Sequence, residues 1–525
     1  MPPVLPPEDR PDPDSLPASH RRSRVERAAS DSARPPETLP EDRVPLPQKL
    51  GYGLGSFHDM WGHWLYPGLA FPVFNIYLGM SPAKVSLALF LNRIFDAVWD
   101  PVFGWLSDNT RTRFGRRRPY ILVGSTLAGL ALPFLFFVRP GWSDGSYFAF
   151  MLASSAVFIP MMCCFYTPYQ SLGAELTPDY YERTRVFGYR LAIQKVPELA
   201  MFFASWFTTL AVWTWAKDIP TGLGALLRSA AAWRSGSDGK PDVLLGAQAY
   251  FAILGALMVA IGFLVFALVR ERYYGKLARN QEKVAIGTSL YEALKCKPFR
   301  VQLAVVLAYQ VGTNMVGTLG FYDTVYYVCR GNLADGSWWT GVMGIAGMVL
   351  GFLGLPVYGA IAHRLGKVRG MAVVLASALA VFVGTWWLYD PERRWLQPLA
   401  SGFIAFTGAG FNMLDGSIGA DIMDYDELES GKRREGAFTA CKSFIMKMGM
   451  ALGSLASGQI LANTGFDARL GASQSEHALF MIRFLLAAVP VAGVVIALFA
   501  VGNLSLSAET MADIRRRLEA RRGAV

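Results

Sequence analysis

Within one apolar run of the chain, VSLALFLNRIFDAVWDPVFGWLS, sit an arginine and two aspartates: Arg93, Asp96 and Asp100. Spacings of three and four residues put them on a single helix face. Two carboxylates one turn apart, with a guanidinium one turn before them, suit a monovalent cation or a proton. Carboxylate oxygens match Na+, and crowding of like charges favours proton uptake by one member of the pair. At the centre of a membrane helix an ionised group costs about 2.5 to 3.5 kcal/mol, roughly 9 for three. The eleven Leu, Ile, Phe and Val residues of the run return roughly 5 kcal/mol in total. Such a helix does not choose lipid alone, so its charged stripe must face other helices. A buried Arg93–Asp96 pair that only fixes packing is the simpler reading, but it leaves Asp100 unexplained.

Other charges in apolar surroundings extend the set. Asp59 lies four residues before His63; with no third ligand nearby in sequence, the two read as polar lining rather than a metal site. Arg190, Lys195 and Glu198 open another apolar run, where Arg190 and Lys195 either line a cavity or snorkel to the interface. Asp323 and Asp415 are intramembrane acids without a local partner. Lys447 lies too deep to snorkel, which favours a carboxylate from the other half of the chain as its partner. Trp61, Trp64, Tyr66, Tyr166, Tyr169, Tyr322, Tyr326 and Tyr327 supply rings that stack on sugar faces or mark membrane interfaces.

The elements that must position these groups follow from composition. Of 525 residues, 53% are hydrophobic and 17% charged, against roughly a quarter charged in a soluble protein. Residues 1–49 hold 17 of the 90 charged residues and 12 of the 30 prolines. Segment 1–48 therefore reads as a disordered cytoplasmic tail, neither signal peptide nor span. At about 20 residues per crossing, apolar stretches fall near 51–79, 84–107, 119–139, 147–174, 186–215, 247–270, 301–328, 338–362, 370–390, 396–420, 436–463 and 479–502, twelve in all. Lys and Arg gather after the even-numbered spans, in the middle connection and in the tail after the last span, so both termini lie in the cytoplasm. The expectation is an all-α membrane protein of twelve transmembrane helices in two six-helix halves. The N-terminal half is 49–270 with an extracytoplasmic insertion at 216–246, the cytoplasmic linker 271–300, the C-terminal half 301–503 and the basic tail 504–525. A partial echo links the halves: Gly104–Arg118 and Gly359–Arg369 each run from a glycine into a basic turn containing Gly115 or Gly366.

This layout excludes several classes. The net charge of +10 is a topology signal, not a nucleic-acid patch. Cys163, Cys164, Cys296, Cys329 and Cys441 show no CxxC spacing, against a disulfide scaffold or zinc site. The five histidines form no HxxH or HExxH pattern, so no enzyme, metal or organic cofactor is expected. Acids and bases adjoin at the expected cytoplasmic rim: Asp108 with Arg111, Arg113, Arg116, Arg117 and Arg118, and Asp421, Asp424 and Glu427 with Lys432, Arg433 and Arg434. They read as a gate whose charges pair on closing and hydrate on opening.

The run RIFDAVWDPVFGWLSDNTRTRFGRRRP (93–119) resembles the signature of the glycoside-pentoside-hexuronide:cation symporters, the melibiose-permease-like branch of the major facilitator superfamily. ADIMDYDELESGKRREGAFTACKSFIMKMGMALG (420–453), YGLGSF (52–57) and PYQSLGAELTPDYYERTR (168–185) are also similar to segments of that family, and the resemblance covers about residues 48–505. It implies the major facilitator fold and alternating access. It also implies Asp96 and Asp100 as the cation-binding acids, Arg93 as the arginine before them, and Lys447 as the link between cation and substrate sites. Arg190 and Asp59 fall near the family's sugar-binding arginine and acid, Asp59 one position early. Three positions depart from the pattern: Trp99 replaces an asparagine, Tyr166 an aspartate and Gln170 a tryptophan. Losing an amide and a carboxylate removes oxygen ligands, so the coupling ion, H+ or Na+, is more readily H+. The expected function is cation-coupled symport of a sugar or glycoside by a monomeric multi-pass protein of the plasma (inner) membrane, with a saccharide and the lipid bilayer as partners. A lysolipid-like amphiphile as cargo, or a membrane sensor of the same fold that has lost transport, are the alternatives.

Overall fold

The computed structural model describes residues 40, 42–177, 180–210, 212–215, 242–271, 292–431, 435–504, 506 and 508–522. Most of the tail 1–48, most of the insertion 216–246 and most of the linker 271–300 lie outside these residues. Among the described residues the chain runs through twelve long helical elements. The first, α1, is assembled from Leu46–Leu54, Ser56–Met60, Trp61–Leu65, Tyr66–Ala70 and Phe71–Tyr77. There follow α2 (Pro82–Asn109), α3 (Arg118–Ala131), α4 (Asp144–Glu175), α5 (Tyr180–Phe202) and α6 (Val243–Leu268). The second half comprises α7 (Lys297–Tyr322), α8 (Leu333–Leu365), α9 (Lys367–Leu388), α10 (Gln397–Ser430), α11 (Glu435–Asn463) and α12 (Glu476–Val501). A final amphipathic helix, α13 (Ala508–Arg522), occupies the basic tail and buries Met511, Ile514 and Leu518 in the core of the second half.

Eight of these helices are long and apolar enough to cross a membrane. The other four, α1, α2, α5 and α10, are interrupted or carry intramembrane charge, among it Asp59, Arg93, Asp96, Asp100, Arg190 and Asp415. The protein is an integral multi-pass membrane protein, and its exterior fits a lipid environment: Trp105, Leu130, Trp387, Ile496 and Phe499 face outward.

Helix starts use two devices. α4, α6, α8 and α12, which enter from the extracytoplasmic face, begin at Ser143, Asp242, Asn332 and Ser475, whose side chains accept from the first free backbone N–H groups. Helices α3 and α7 start on the basic side with proline in the first turn, where a missing N–H costs nothing.

Within the first half α3 packs on α4 and α6, and α2 on α4; within the second, α7 packs on α11 and α12, and α8 and α9 on α10. Glycines permit the closest approach: a Cβ on Gly129 of α3 would strike the carbonyl of Gly255 on α6. The halves meet along α2 against α11 and α5 against α8. At the extracytoplasmic end they are fastened by hydrogen bonds, Tyr322 to Asn75 at 2.5 Å and Ser205 with Ser337 at 2.7 Å.

Candidate functional site

The charged stripe of α2 faces the interior, as its spacing requires. Lys447 of α11 reaches across the interface, with Nζ 3.0 Å from Asp96 Oδ2 and also hydrogen-bonded to Asp100 Oδ2. The expected carboxylate partner from the other half is thus a pair. Arg93 stands 3.8 Å from Asp96 Oδ2, donates to the His63 carbonyl at 3.0 Å and lies over the Trp64 ring. Helix α4 completes this cluster: Thr167 donates to Asp100 Oδ1 at 3.1 Å and the Cys163 thiol lies 3.4 Å from Asp96 Oδ1. The ligand atoms of Asp96, Asp100 and Cys163 fall within 4.8 Å of one another, and the two carboxylates hold the Lys447 ammonium.

A second cluster adjoins the first. Arg190 of α5 donates to Asp59 Oδ2 at 2.8 Å and to Gln170 Oε1 at 2.9 Å, while the Gln170 amide lies 3.4 Å from Asp59 Oδ2. Arg190 also lies over the Tyr169 ring. It is therefore engaged in the interior and does not snorkel. Lys195 likewise pairs with Glu198 at 2.8 Å.

His63 joins the two clusters. Its Nδ1 is 3.5 Å from Asp59 Oδ1 and its Nε2 is 3.9 Å from Asp96 Oδ1. Tyr166 meets the imidazole edge-on at 4.5 Å. The ring sits in Trp61–Leu65, a stretch of π-helix, a distortion that often marks functional sites. All six residues expected at the substrate site, Asp59, Arg93, Tyr166, Gln170, Arg190 and Lys447, therefore belong to one connected network with Asp96 and Asp100. Sequence reasoning missed Cys163 and Thr167; with Tyr166 and Gln170 they recur at helical spacing on one face of α4, which was a readable signal.

Above this network, towards the extracytoplasmic side, a chamber of about 330 Å³ lies between the halves. Trp64, Phe71, Phe202 and Phe321 are among its walls, and Arg93 borders it.

The two intramembrane acids of the second half behave differently. Asp415 pairs with Lys442 at 2.5 Å and accepts from Gln302 at 2.7 Å, so it has partners on α11 and α7 that its own neighbourhood did not reveal. Asp323 is buried, with no hydrogen-bond partner on either oxygen among the described residues.

At the cytoplasmic rim the described pairs stay within each half. Glu175, at the end of α4, binds Arg116 and Arg117, the latter at 2.6 Å. Glu271 accepts from the backbone N–H groups of Arg116, Arg117 and Arg118. In the second half Asp421 of α10 binds Lys367 at 2.7 Å. The two arrangements repeat: the carboxylates end the related runs SLGAE (171–175) and SIGAD (417–421), and the basic partners follow Gly115 and Gly366. Both glycines have positive φ, 106° and 84°, the left-handed conformation that a side chain disfavours. Arg111 is exposed, and Asp424 and Glu427 are half-buried on α10. The Asp108 side chain and Lys432, Arg433 and Arg434 lie outside the described residues.

Comparison with known proteins agrees with this architecture. Residues 69–507 match the family model described as MFS/sugar transport protein. An uncharacterized symporter of Synechocystis is 25% identical, the alignment covering 92% of this chain and 98% of that protein. The isoprimeverose transporter of Lactiplantibacillus pentosus is 26% identical over 89% of this chain and 90% of its own. Among solved structures, a bacterial homologue of the human lysosomal transporter Spinster, inward-facing and unoccupied, superposes with a TM-score of 0.60 at 14% identity, covering 89% of this chain and 97% of that one. The chain belongs to the MFS/sugar transport family of the major facilitator type, and it is a transporter rather than an enzyme.

Proposed function

We propose that the protein is a proton-coupled symporter of a saccharide or glycoside working by alternating access. The observation that carries this reading is the bridge from Lys447 to Asp96 and Asp100. In the empty site the ammonium of one half neutralises two acids of the other. Proton uptake on the acid pair weakens that hold and frees Lys447, which can then donate to a substrate hydroxyl beside Asp59, Gln170 and Arg190. Cation and substrate thereby favour the same rearrangement, which is what coupling between two sites requires.

Two features favour the proton over Na+. The groups nearest the acids on α4 are one hydroxyl and one thiol, and a thiol is a poor partner for a hard cation. The place between the carboxylates is already held by Lys447. Saccharide cargo is supported by the family's description and by a relative named an isoprimeverose transporter. The paired donors and acceptors of the second cluster match ring hydroxyls.

The reading is tested in two steps. A stabilisation screen of the purified protein against mono- and disaccharides, uronates and lysolipids identifies the cargo. Uptake of the best ligand into proteoliposomes is then driven by an inward pH gradient or an inward Na+ gradient. Accumulation with the pH gradient alone is expected. Accumulation with Na+ alone overturns proton coupling, selective stabilisation by lysolipids overturns the saccharide, and binding without counterflow indicates a sensor.

A further inference from the structure

The chamber between the halves is better suited to an apolar group than to a second sugar. Much of its polar lining is engaged elsewhere: Asn314 donates to the Met450 carbonyl at 2.5 Å and to Ser454 at 3.1 Å, Ser205 bonds to Ser337, and Thr340 bonds to the Gly336 carbonyl at 2.8 Å. Apart from Arg93 and Thr318, what remains towards the space is mostly aromatic, thioether and aliphatic surface. Two glycines, Gly68 on α1 and Gly317 on α7, border it, and a Cβ added at either would meet nothing within 4 Å. The room is made by missing side chains on the first helix of each half.

Its position relates it to the charged clusters. Arg93, which reaches Asp96, also borders the chamber. Trp64 lies five residues beyond Asp59 on α1, an axial offset of about 7 Å at helical rise. That is about the reach of one sugar ring and its glycosidic bond. A dry apolar cavity of about 150 Å³ admits one benzene, so 330 Å³ accommodates an aryl or short alkyl group with space to spare.

We propose that the substrate is an amphiphilic glycoside, its sugar held by Asp59, Gln170 and Arg190 and its apolar aglycone in the chamber bordered by Gly68 and Gly317. This rests on the saccharide reading above and narrows it to a class of cargo.

The test is competition of methyl and phenyl β-glucosides, and methyl and phenyl β-xylosides, against counterflow in proteoliposomes of the full chain. Burial of a phenyl ring is expected to make the phenyl glycoside of the preferred sugar at least about tenfold the tighter competitor. In Gly317→Leu, and separately in Gly68→Leu, the phenyl-to-methyl ratio is expected to fall to about 1, because leucine fills the space the ring would take. Equal competition by methyl and phenyl glycosides of the wild type overturns the inference, as does an undiminished ratio in both filled variants. A gain from a second sugar ring but not from phenyl assigns the chamber to a disaccharide instead. Exchange of no glycoside at all, methyl glycosides included, overturns the saccharide reading and this inference with it.

Discussion

Lys447 and Asp100 belong to opposite halves of the protein, and their side chains are hydrogen-bonded across the interface beneath a chamber large enough for a substrate group. In the proposed cycle this contact ties the conformation of the carrier to the occupancy of its acids.

Removing one partner of that bridge leaves charge uncompensated in a buried place. Lys447→Ala is expected to cost about 3–5 kcal/mol of stability, read as a lowered unfolding temperature in detergent, and to abolish accumulation. Adding Asp100→Asn to the same chain removes one stranded charge and should recover part of the stability, though not transport. No recovery in the double variant argues against a direct Lys447–Asp100 interaction.

Arg190 grips Asp59 and Gln170 through two nitrogens of one planar group. Lysine keeps the charge and loses the fork. For Arg190→Lys the KM for substrate is expected to rise about tenfold, the loss of roughly one charge-assisted hydrogen bond. An unchanged KM removes Arg190 from the binding site.

The rim pairs of the two halves should respond alike, because Glu175 with Arg117 and Asp421 with Lys367 occupy equivalent places. Asp421→Lys is expected to slow transport, and the exchanged pair Lys367→Asp with Asp421→Lys to restore much of it. If Asp421→Lys transports at the wild-type rate, Asp421 has no part in gating.

In the proposed cycle, closure of the extracytoplasmic side draws on the hydrogen bond from Tyr322 to Asn75. Tyr322→Phe should weaken the closed state by about 1 kcal/mol, shifting the equilibrium roughly fivefold towards outward opening. Buried Cys329, at the end of the same helical segment, reports this as faster alkylation by an impermeant maleimide. An unaltered rate shows that the bond does not set closure.

Much of this site was legible in sequence, for identifiable reasons. Arg93, Asp96 and Asp100 lie on one helix, so periodicity alone put them on one face, and the depth of Lys447 implied a partner in the other half. The twofold layout was visible in the basic turns at Gly115 and Gly366. Illegible were contacts between helices distant in sequence. Asp415 looked alone because Lys442 and Gln302 come from α11 and α7. Arg190 could as well have snorkelled, since only the fold brings Asp59 to it. The place of His63 between two acids depends on the wide turns of Trp61–Leu65, which no local pattern announced.

Coupling in the proposed cycle turns on whether Asp100 carries the cation. Asp100→Asn keeps the shape of the side chain and removes its charge. In proteoliposomes with an inward pH gradient, accumulation of labelled substrate should disappear while counterflow between equal internal and external pools continues. Accumulation at the wild-type level in Asp100→Asn would contradict the account.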